Sequence, residues 1–152
     1  MGYTFGVGRA APQFDLAAHD GSRVSLEQFR GDWFPVVVFL GADAAAAASA
    51  TSGLNGVAEQ LWGLRGQAVG VLHGDDVAVR RVAEQAGRAD FPLLADSDAA
   101  VARAFGAFDA AAGVVRPHAV IVDRAGKIAW SADGAEALRP AALLAALRSA
   151  VR

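Results

Sequence analysis

Residues 119–130 read AVIVDRAGKIAW, two short apolar runs on either side of a tight turn. Residues 119–122 and 127–130 have the composition of strands, and residues 123–126 supply the turn between them. A loop this short forces the two strands to pair antiparallel. A helix is predicted after them, because Pro140 suits a first helical position. Apolar residues then repeat at helical spacing, at Leu143, Leu144, Leu147 and Val151.

Upstream of this hairpin, apolar strands alternate with helices. Residues 33–40 contain the run Val36-Val37-Val38-Phe39, which is continuous rather than alternating and indicates a central strand covered on both faces. The alanine-rich stretch 42–50 leads into apolar residues whose spacing predicts one amphipathic helix, at Leu54, Val57, Leu61 and Leu64. The other predicted elements are a strand at 68–72, a helix at 77–86, a strand at 91–94 and a helix at 96–105.

The first predicted element is a short hairpin. Residues 14–16 and 23–26 flank a glycine-containing turn, Asp20-Gly21-Ser22. A doubly wound nucleotide-binding fold would keep alternating single strands with helices, whereas this chain ends in a hairpin and a helix. We therefore predict a single α/β domain over residues 1–152. Its order of elements matches a thioredoxin-like fold, with a central mixed β-sheet flanked by helices and an N-terminal β-hairpin.

The composition disfavours several functions. The 152 residues are 54% hydrophobic, which suffices for one core, and their formal net charge of -2 gives no reason to bind nucleic acid. The apolar run 34–40 is too short to cross a bilayer, and residues 1–11 lack the pattern of a secretory signal. We therefore expect a cytoplasmic protein that binds no membrane. Cysteine is absent, which excludes disulfides, thiolate metal ligands and a cysteine nucleophile.

Short motifs occur in order along nearly the whole chain. They are APQFDL at 11–16, Asp20-Gly21, VSL at 24–26, FRG at 29–31, FPLLAD at 91–96, AFG at 104–106, Arg116, VIVD at 120–123 and Gly126. Together they resemble the peroxiredoxins, the alkyl hydroperoxide reductase and thiol-specific antioxidant family. The length looks most like the compact bacterial one-cysteine or bacterioferritin-comigratory types. The resemblance implies a homodimer that pairs near the active-site loops.

The resemblance also locates a catalytic segment that this sequence lacks. The family's Pro-x-x-x-Thr-x-x-Cys motif follows the central strand, and counting from Phe39 places its three residues at Gly41, Ala45 and Ala48. Peroxidase chemistry in the family needs a thiolate whose pKa is lowered by the helix dipole, a hydroxyl and an arginine. An engineered replacement of the cysteine would explain Ala48 alone, so natural loss is favoured. Of the family's active-site residues, Arg116 is kept.

Polar side chains remain near the position of the missing cysteine. In the implied fold, Asp43 and His73 follow two parallel strands, and Arg116 and His118 lie where an antiparallel strand starts at the same edge. These four residues are therefore expected to converge. The structural alternative is that Arg116 caps backbone carbonyls or pairs with Asp43.

The helix after the central strand adds donors to this pocket. Its unpaired backbone N–H groups are expected near Ala48 and Ser49, and with Arg116 they would hold a small anion or carboxylate. Ser49 has a second interpretation as a helix cap. His73 and His118 are interpreted as partly exposed strand-end residues or as a proton-transfer pair. No third ligand lies near them in sequence, so neither a metal nor another cofactor is predicted.

The sequence leaves three functional hypotheses open. The first is a cysteine-less peroxiredoxin-like protein that acts as a binding or regulatory module and not as a thiol peroxidase. The second is a repurposed enzyme that uses Arg116 with His73 or His118 on a small anionic substrate. The third is a peroxidase whose thiol comes from a partner protein or a small molecule.

Overall fold

The computed structural model describes residues 6–152. Its strands are β1 (Asp15–Ala17), β2 (Arg23–Ser25), β3 (Phe34–Leu40), β4 (Gly66–Leu72), β5 (Leu93–Ala95), β6 (Phe108–Asp109), β7 (Val114–Val115), β8 (Pro117–Val122) and β9 (Ile128–Asp133). Its α-helices are α1 (Ala44–Asn55), α2 (Ala58–Gly63), α3 (Asp76–Gln85), α4 (Ala100–Ala104) and α5 (Pro140–Ala150), with 3-10 helices at Leu26–Phe29 and Gly134–Leu138. The prediction that residues 1–11 are no secretory signal concerns in part residues 1–5, which lie outside the described residues.

One sheet has the strand order β5-β4-β3-β8-β9. Strands β3, β4 and β5 pair in parallel, whereas β8 pairs antiparallel with β3 and β9 antiparallel with β8. Every residue of β3 is buried, which a central strand with both faces covered requires. The predicted α/β class with a central mixed sheet is therefore confirmed. Strands β1 and β2 form the predicted N-terminal hairpin.

The two faces of the sheet carry separate apolar layers. Val36 and Val38 of β3 lie in the first layer, and Val37 and Phe39 lie in the second, because side chains alternate along a strand. The first layer includes helix residues Leu54, Leu61, Val79, Leu143 and Leu147. The second includes Val24 of the hairpin, Leu26 and Phe29 of the 3-10 helix after it, Val101 of α4 and Phe105 just after α4. None of the helices in residues 6–152 is long and apolar enough to cross a membrane.

The single helix predicted from the alanine-rich stretch is wrong, because α1 ends at Asn55 and α2 begins at Ala58. Gly53 and Gly56 weaken the helix there, since glycine has low helix propensity. The side chain of Asn55, the last residue of α1, makes two tertiary hydrogen bonds. It donates to the Arg88 carbonyl at 2.8 Å and accepts from the Asp90 N–H at 2.8 Å. The break therefore attaches the end of α1 to the loop before β5.

The boundaries around residues 91–105 also differ from the prediction. Strand β5 begins at Leu93 and α4 begins at Ala100, each later than expected. Asp96 was predicted to start the helix, but it lies ahead of it with a buried carboxylate that accepts from the N–H groups of Val101 (3.2 Å) and Ala102 (2.9 Å). The carboxylate therefore satisfies helix donors from outside the helix. The short β6–β7 pair that follows was not predicted.

Candidate functional site

The parallel strands β3 and β4 end at the same edge of the sheet, where the missing motif would lie. Gly41 follows β3 with φ +86°, a left-handed conformation that favours glycine. Proline is fixed near φ -65°, so it does not fit this backbone. A Cβ built on Gly41 would lie 3.4 Å from Cγ of Pro117, the residue paired in register with Leu40. Pro117 therefore occupies the space beside Gly41.

Helix α1 begins several residues before the position of the missing cysteine. The Asp43 carboxylate accepts from the Ala45 N–H at 2.9 Å, and the Asp43 carbonyl accepts from the Ala47 N–H at 2.9 Å. Asp43 is therefore the N-cap, and Ala48 and Ser49 lie beyond the first turn. The expected unpaired N–H groups near Ala48 and Ser49 are wrong, and so is Ser49 as a cap.

A groove between α1 and α3 contains the position of the missing cysteine. Ala48 is 7% exposed, and Ser49 beside it is exposed. The groove forms a cavity of about 440 Å³, here called the Ala48 cavity. Its lining residues are Ala45, Ala48, Ser49, Ser52, Gln85 and Ala86. The site is therefore lined mainly by methyl, hydroxyl and amide groups.

His73 borders a cavity next to the Ala48 cavity, and Arg116 does not line it. It follows β4 as an exposed residue and borders a space of about 290 Å³, here called the His73 cavity. This cavity is lined by Ala42, Ala44, Leu72, His73, Ala78, Arg81, Val82 and Gln85. Gln85 lines both cavities, so the two spaces are neighbours along the α1–α3 groove.

Arg116 and His118 both contact Asp133, a residue that the sequence analysis does not single out. Arg116 Nη2 donates to the Gly106 carbonyl at 2.7 Å and to Asp133 Oδ1 at 3.1 Å. His118 Nδ1 lies 2.7 Å from the same Asp133 oxygen. We call Arg116, His118 and Asp133 the His118 cluster. Arg116 thus caps a carbonyl, as its structural interpretation proposes, but its ion-pair partner is Asp133 and not Asp43.

Burial separates the two histidines. His118 is only 1% exposed and packs near the Phe39 ring, with centroids 6.1 Å apart, so its predicted partly exposed position is wrong. The reason is its place on β8 opposite the central strand β3, where the register pairs it with Phe39. Arg116 and His118 line neither the Ala48 cavity nor the His73 cavity. The structure therefore divides the predicted pocket into a groove and a separate hydrogen-bonded cluster.

Asp133 is the acid of this cluster, and its neighbours favour the charged form. Burial raises the pKa of Asp133, but hydrogen bonds from His118 and Arg116 outweigh it and leave the pKa below the usual 3.8. A signal for this pairing exists in the sequence, because the register of the β8–β9 hairpin places His118 opposite Asp133. Within residues 6–152, no three His, Asp or Glu side chains form a group that could hold a metal ion.

Asp133→Asn is expected to lower the free energy of unfolding at neutral pH and to make the loss of stability in acid smaller. The folded-state pKa of Asp133 lies below its usual value of 3.8, so the ionised carboxylate stabilises the fold at any pH above 3.8. This stabilisation is lost as the pH falls through the folded-state pKa. Urea unfolding at about pH 7 and about pH 3 measures both effects. Asp15→Asn is the matched control, because Asp15 pairs with Arg23 on the open surface. Equal stability of both variants at both pH values would contradict this role of Asp133.

Solved structures with the same fold align over almost the whole chain. Peroxidoxin BcpB from Mycobacterium tuberculosis is 22% identical, with 95% of this chain and 97% of that chain covered and a TM-score of 0.80. AhpC from Enterococcus faecalis is 22% identical, with 94% and 90% covered and a TM-score of 0.81. The bacterioferritin comigratory protein of Xanthomonas campestris is 20% identical, with 91% and 92% covered and a TM-score of 0.78. The predicted thioredoxin-like fold is therefore confirmed.

The family follows from the sequence itself. The model of the AhpC/TSA family matches residues 7–131, which is well over half of the chain. The chain belongs to the AhpC/TSA family, and the resemblance to peroxiredoxins is confirmed. A comparison with curated proteins returned no match.

Proposed function

We propose that this chain is a cysteine-less member of the AhpC/TSA family that binds a ligand or regulates a partner and does not reduce peroxides itself. The observation that carries the proposal is the absence of cysteine from all 152 residues. In a thiol peroxidase, a thiolate attacks one peroxide oxygen, the O–O bond breaks, and the sulfur is oxidised to a sulfenic acid while water or an alcohol leaves. The methyl group of Ala48 has no lone pair for this attack.

The residues around Ala48 support the loss of the whole Pro-x-x-x-Thr-x-x-Cys motif rather than of the cysteine alone. Gly41 has a backbone conformation that excludes proline, and Ala45 offers no hydroxyl. Arg116 donates to the Gly106 carbonyl and to Asp133. A single replacement of a cysteine in an otherwise active enzyme leaves Gly41 and Ala45 unexplained, so natural loss is favoured.

A peroxide-consumption assay tests the proposal. Purified protein with hydrogen peroxide or an alkyl hydroperoxide, and with dithiothreitol, glutathione or reduced thioredoxin in turn, is expected to consume no more peroxide than buffer and reductant alone. The Xanthomonas campestris bacterioferritin comigratory protein, whose structure was described with its alkyl peroxide reduction activity, is the positive control. Protein-dependent consumption with any reductant would contradict the proposal and would favour a peroxidase that takes its thiol from a partner or a small molecule.

A repurposed enzyme is the second candidate, and one contact supports it. The hydrogen bond between Asp133 and His118 Nδ1 resembles the way in which a carboxylate orients a catalytic imidazole. Arg116 would then bind a small anionic substrate next to His118, whereas His73 borders a cavity that neither of these residues lines. Any turnover that persists in Arg116→Ala would contradict this candidate.

The proposal also includes the assembly and location of the protein. We propose a homodimer in the cytoplasm, on the grounds of membership in the AhpC/TSA family. Sedimentation velocity at several protein concentrations measures the assembly, and a monomer at all of them would contradict it.

A further inference from the structure

The His73 cavity lies where open α/β sheets commonly bind ligands. It is bordered by Ala42, just after β3, by Leu72 and His73 at the end of β4, and by one side of α3. A crevice outside the carboxyl ends of parallel strands is the usual position for a ligand in such sheets. Its volume of about 290 Å³ is near the lower end for small-molecule sites.

Two neighbouring arginines of α3 differ in their pairing. Arg80 Nη1 lies 3.2 Å from Asp76 Oδ2, one turn earlier in the helix. Arg81 lines the His73 cavity, and its side chain makes no hydrogen bond or ion pair with any other residue in the range 6–152. The guanidinium of Arg81 is therefore a cation at the cavity with its donors still available to a ligand.

The chemistry of the cavity wall suits a ligand that is anionic at one end only. Leu72 and Val82 are buried and form apolar wall, and Ala42 and Ala44 add methyl groups. Of the described residues, no Asp or Glu lines either the His73 cavity or the Ala48 cavity. The nearby acids Asp43 and Asp75 each accept a hydrogen bond from the first turn of their own helix. Within residues 6–152, no carboxylate forms an ion pair with Arg81.

We infer that the α1–α3 groove binds a short-chain monocarboxylate, with its carboxylate on Arg81 and His73 and its hydrocarbon chain along the alanines toward Ala48. A guanidinium can donate two parallel hydrogen bonds to a carboxylate, and an imidazole N–H supplies another donor. The adjoining Ala48 cavity, which shares Gln85, extends the apolar path for the chain. This inference rests on the proposed function, because it names the ligand class of a binding module.

Calorimetric titration of the full-length protein with butanoate, hexanoate and octanoate tests the inference. Hexanoate is expected to bind, and each methylene that enters the groove is expected to raise the affinity roughly twofold to fourfold. Hexan-1-ol has the same chain without the charge, and it is expected to bind at least about tenfold more weakly. No heat of binding with any of the three carboxylates, or equal affinity for hexanoate and hexan-1-ol, would overturn the inference.

Variants on α3 and α1 locate the site. Arg81→Ala is expected to weaken hexanoate binding by about tenfold or more, whereas the matched control Arg80→Ala is expected to leave it unchanged. Ala44→Trp keeps Arg81 but fills the His73 cavity, so it is expected to block binding as well. All three positions are exposed, so the variants should fold, which circular dichroism checks. Equal binding by the Arg81 and Arg80 variants would overturn the assignment.

The peroxide assay separates this inference from the proposed function. Absence of hexanoate binding in a protein that consumes no peroxide overturns the ligand class and leaves the non-peroxidatic role standing. Peroxide consumption, in contrast, overturns the proposed function whatever the titration shows.

Discussion

Gly70→Ala is expected to lower the free energy of unfolding by about 1–3 kcal/mol, the usual cost of overpacking a core. Gly70 lies in β4, and a Cβ built on it would lie 2.6 Å from Leu93 Cδ2, 3.2 Å from Phe91 Cε2 and 3.3 Å from Leu40 Cδ1. These three side chains are buried, so none can move into solvent to make room. The added methyl group must therefore shift β5 or distort the rotamers of its neighbours.

Gly63→Ala is the matched control for this substitution. Gly63 is the last residue of α2, and a Cβ built on it meets no atom within 4 Å. Alanine there is expected to be neutral or stabilising by up to about 1 kcal/mol, because glycine is a poor helix former. Chemical unfolding followed by circular dichroism measures both variants. Gly70→Ala that is as stable as Gly63→Ala would show that β4 and β5 have more room than the contacts of Gly70 indicate.

The fold could be predicted from the sequence because its main elements carry strong local signals. The continuous apolar run in β3 requires a strand covered on both faces, and the structure buries all of it. The short turn at residues 123–126 fixes the antiparallel pairing of β8 with β9. These two features together distinguish a sheet with both parallel and antiparallel strands from the parallel sheet of a doubly wound fold.

The start of α1 was harder to predict, although the signal is present. Alanines occupy positions 44–48, so periodicity gives no boundary, and N-cap side chains stand on both sides of them, at Asp43 and Ser49. The break at Gly56 depends on tertiary contacts as well, since Asn55 bonds to the Arg88–Asp90 loop. Strands β6 and β7 have two residues each, which is too short for a periodic pattern.

The candidate site shows the limit of reasoning from strand ends. The sheet brings the residues at one edge near one another, but the helix packed against that edge determines which of them line the same cavity. Arg81 lines the His73 cavity because of the position of α3, whereas Arg80 has an acidic partner four residues earlier in the helix, Asp76. Arg116, in contrast, turns to Gly106 and Asp133.

The double variant Ala45→Thr with Ala48→Cys is expected to gain a thiol but not the peroxidase activity of the family. Position 48 lies beyond the first turn of α1, and the effect of the helix dipole falls off within that turn. Burial at this position, where alanine is 7% exposed, raises the pKa of a thiol unless a cation opposes it. Arg116, the cation that the family would supply, is engaged by Gly106 and Asp133.

The rate of thiol loss with increasing hydrogen peroxide measures this expectation. Ser49→Cys is the matched control, because it places a thiol on the next residue of the same helix at an exposed position. The thiol at position 49 is expected to react at a rate close to that of free cysteine in the same buffer, and the thiol at position 48 is expected to react no faster. A thiol at position 48 that reacts orders of magnitude faster than the one at position 49 would show that the scaffold still activates a cysteine. In that event the missing sulfur alone would separate this protein from a peroxidase, and Gly41 and the Arg116–Asp133 pair would be no obstacle to the chemistry.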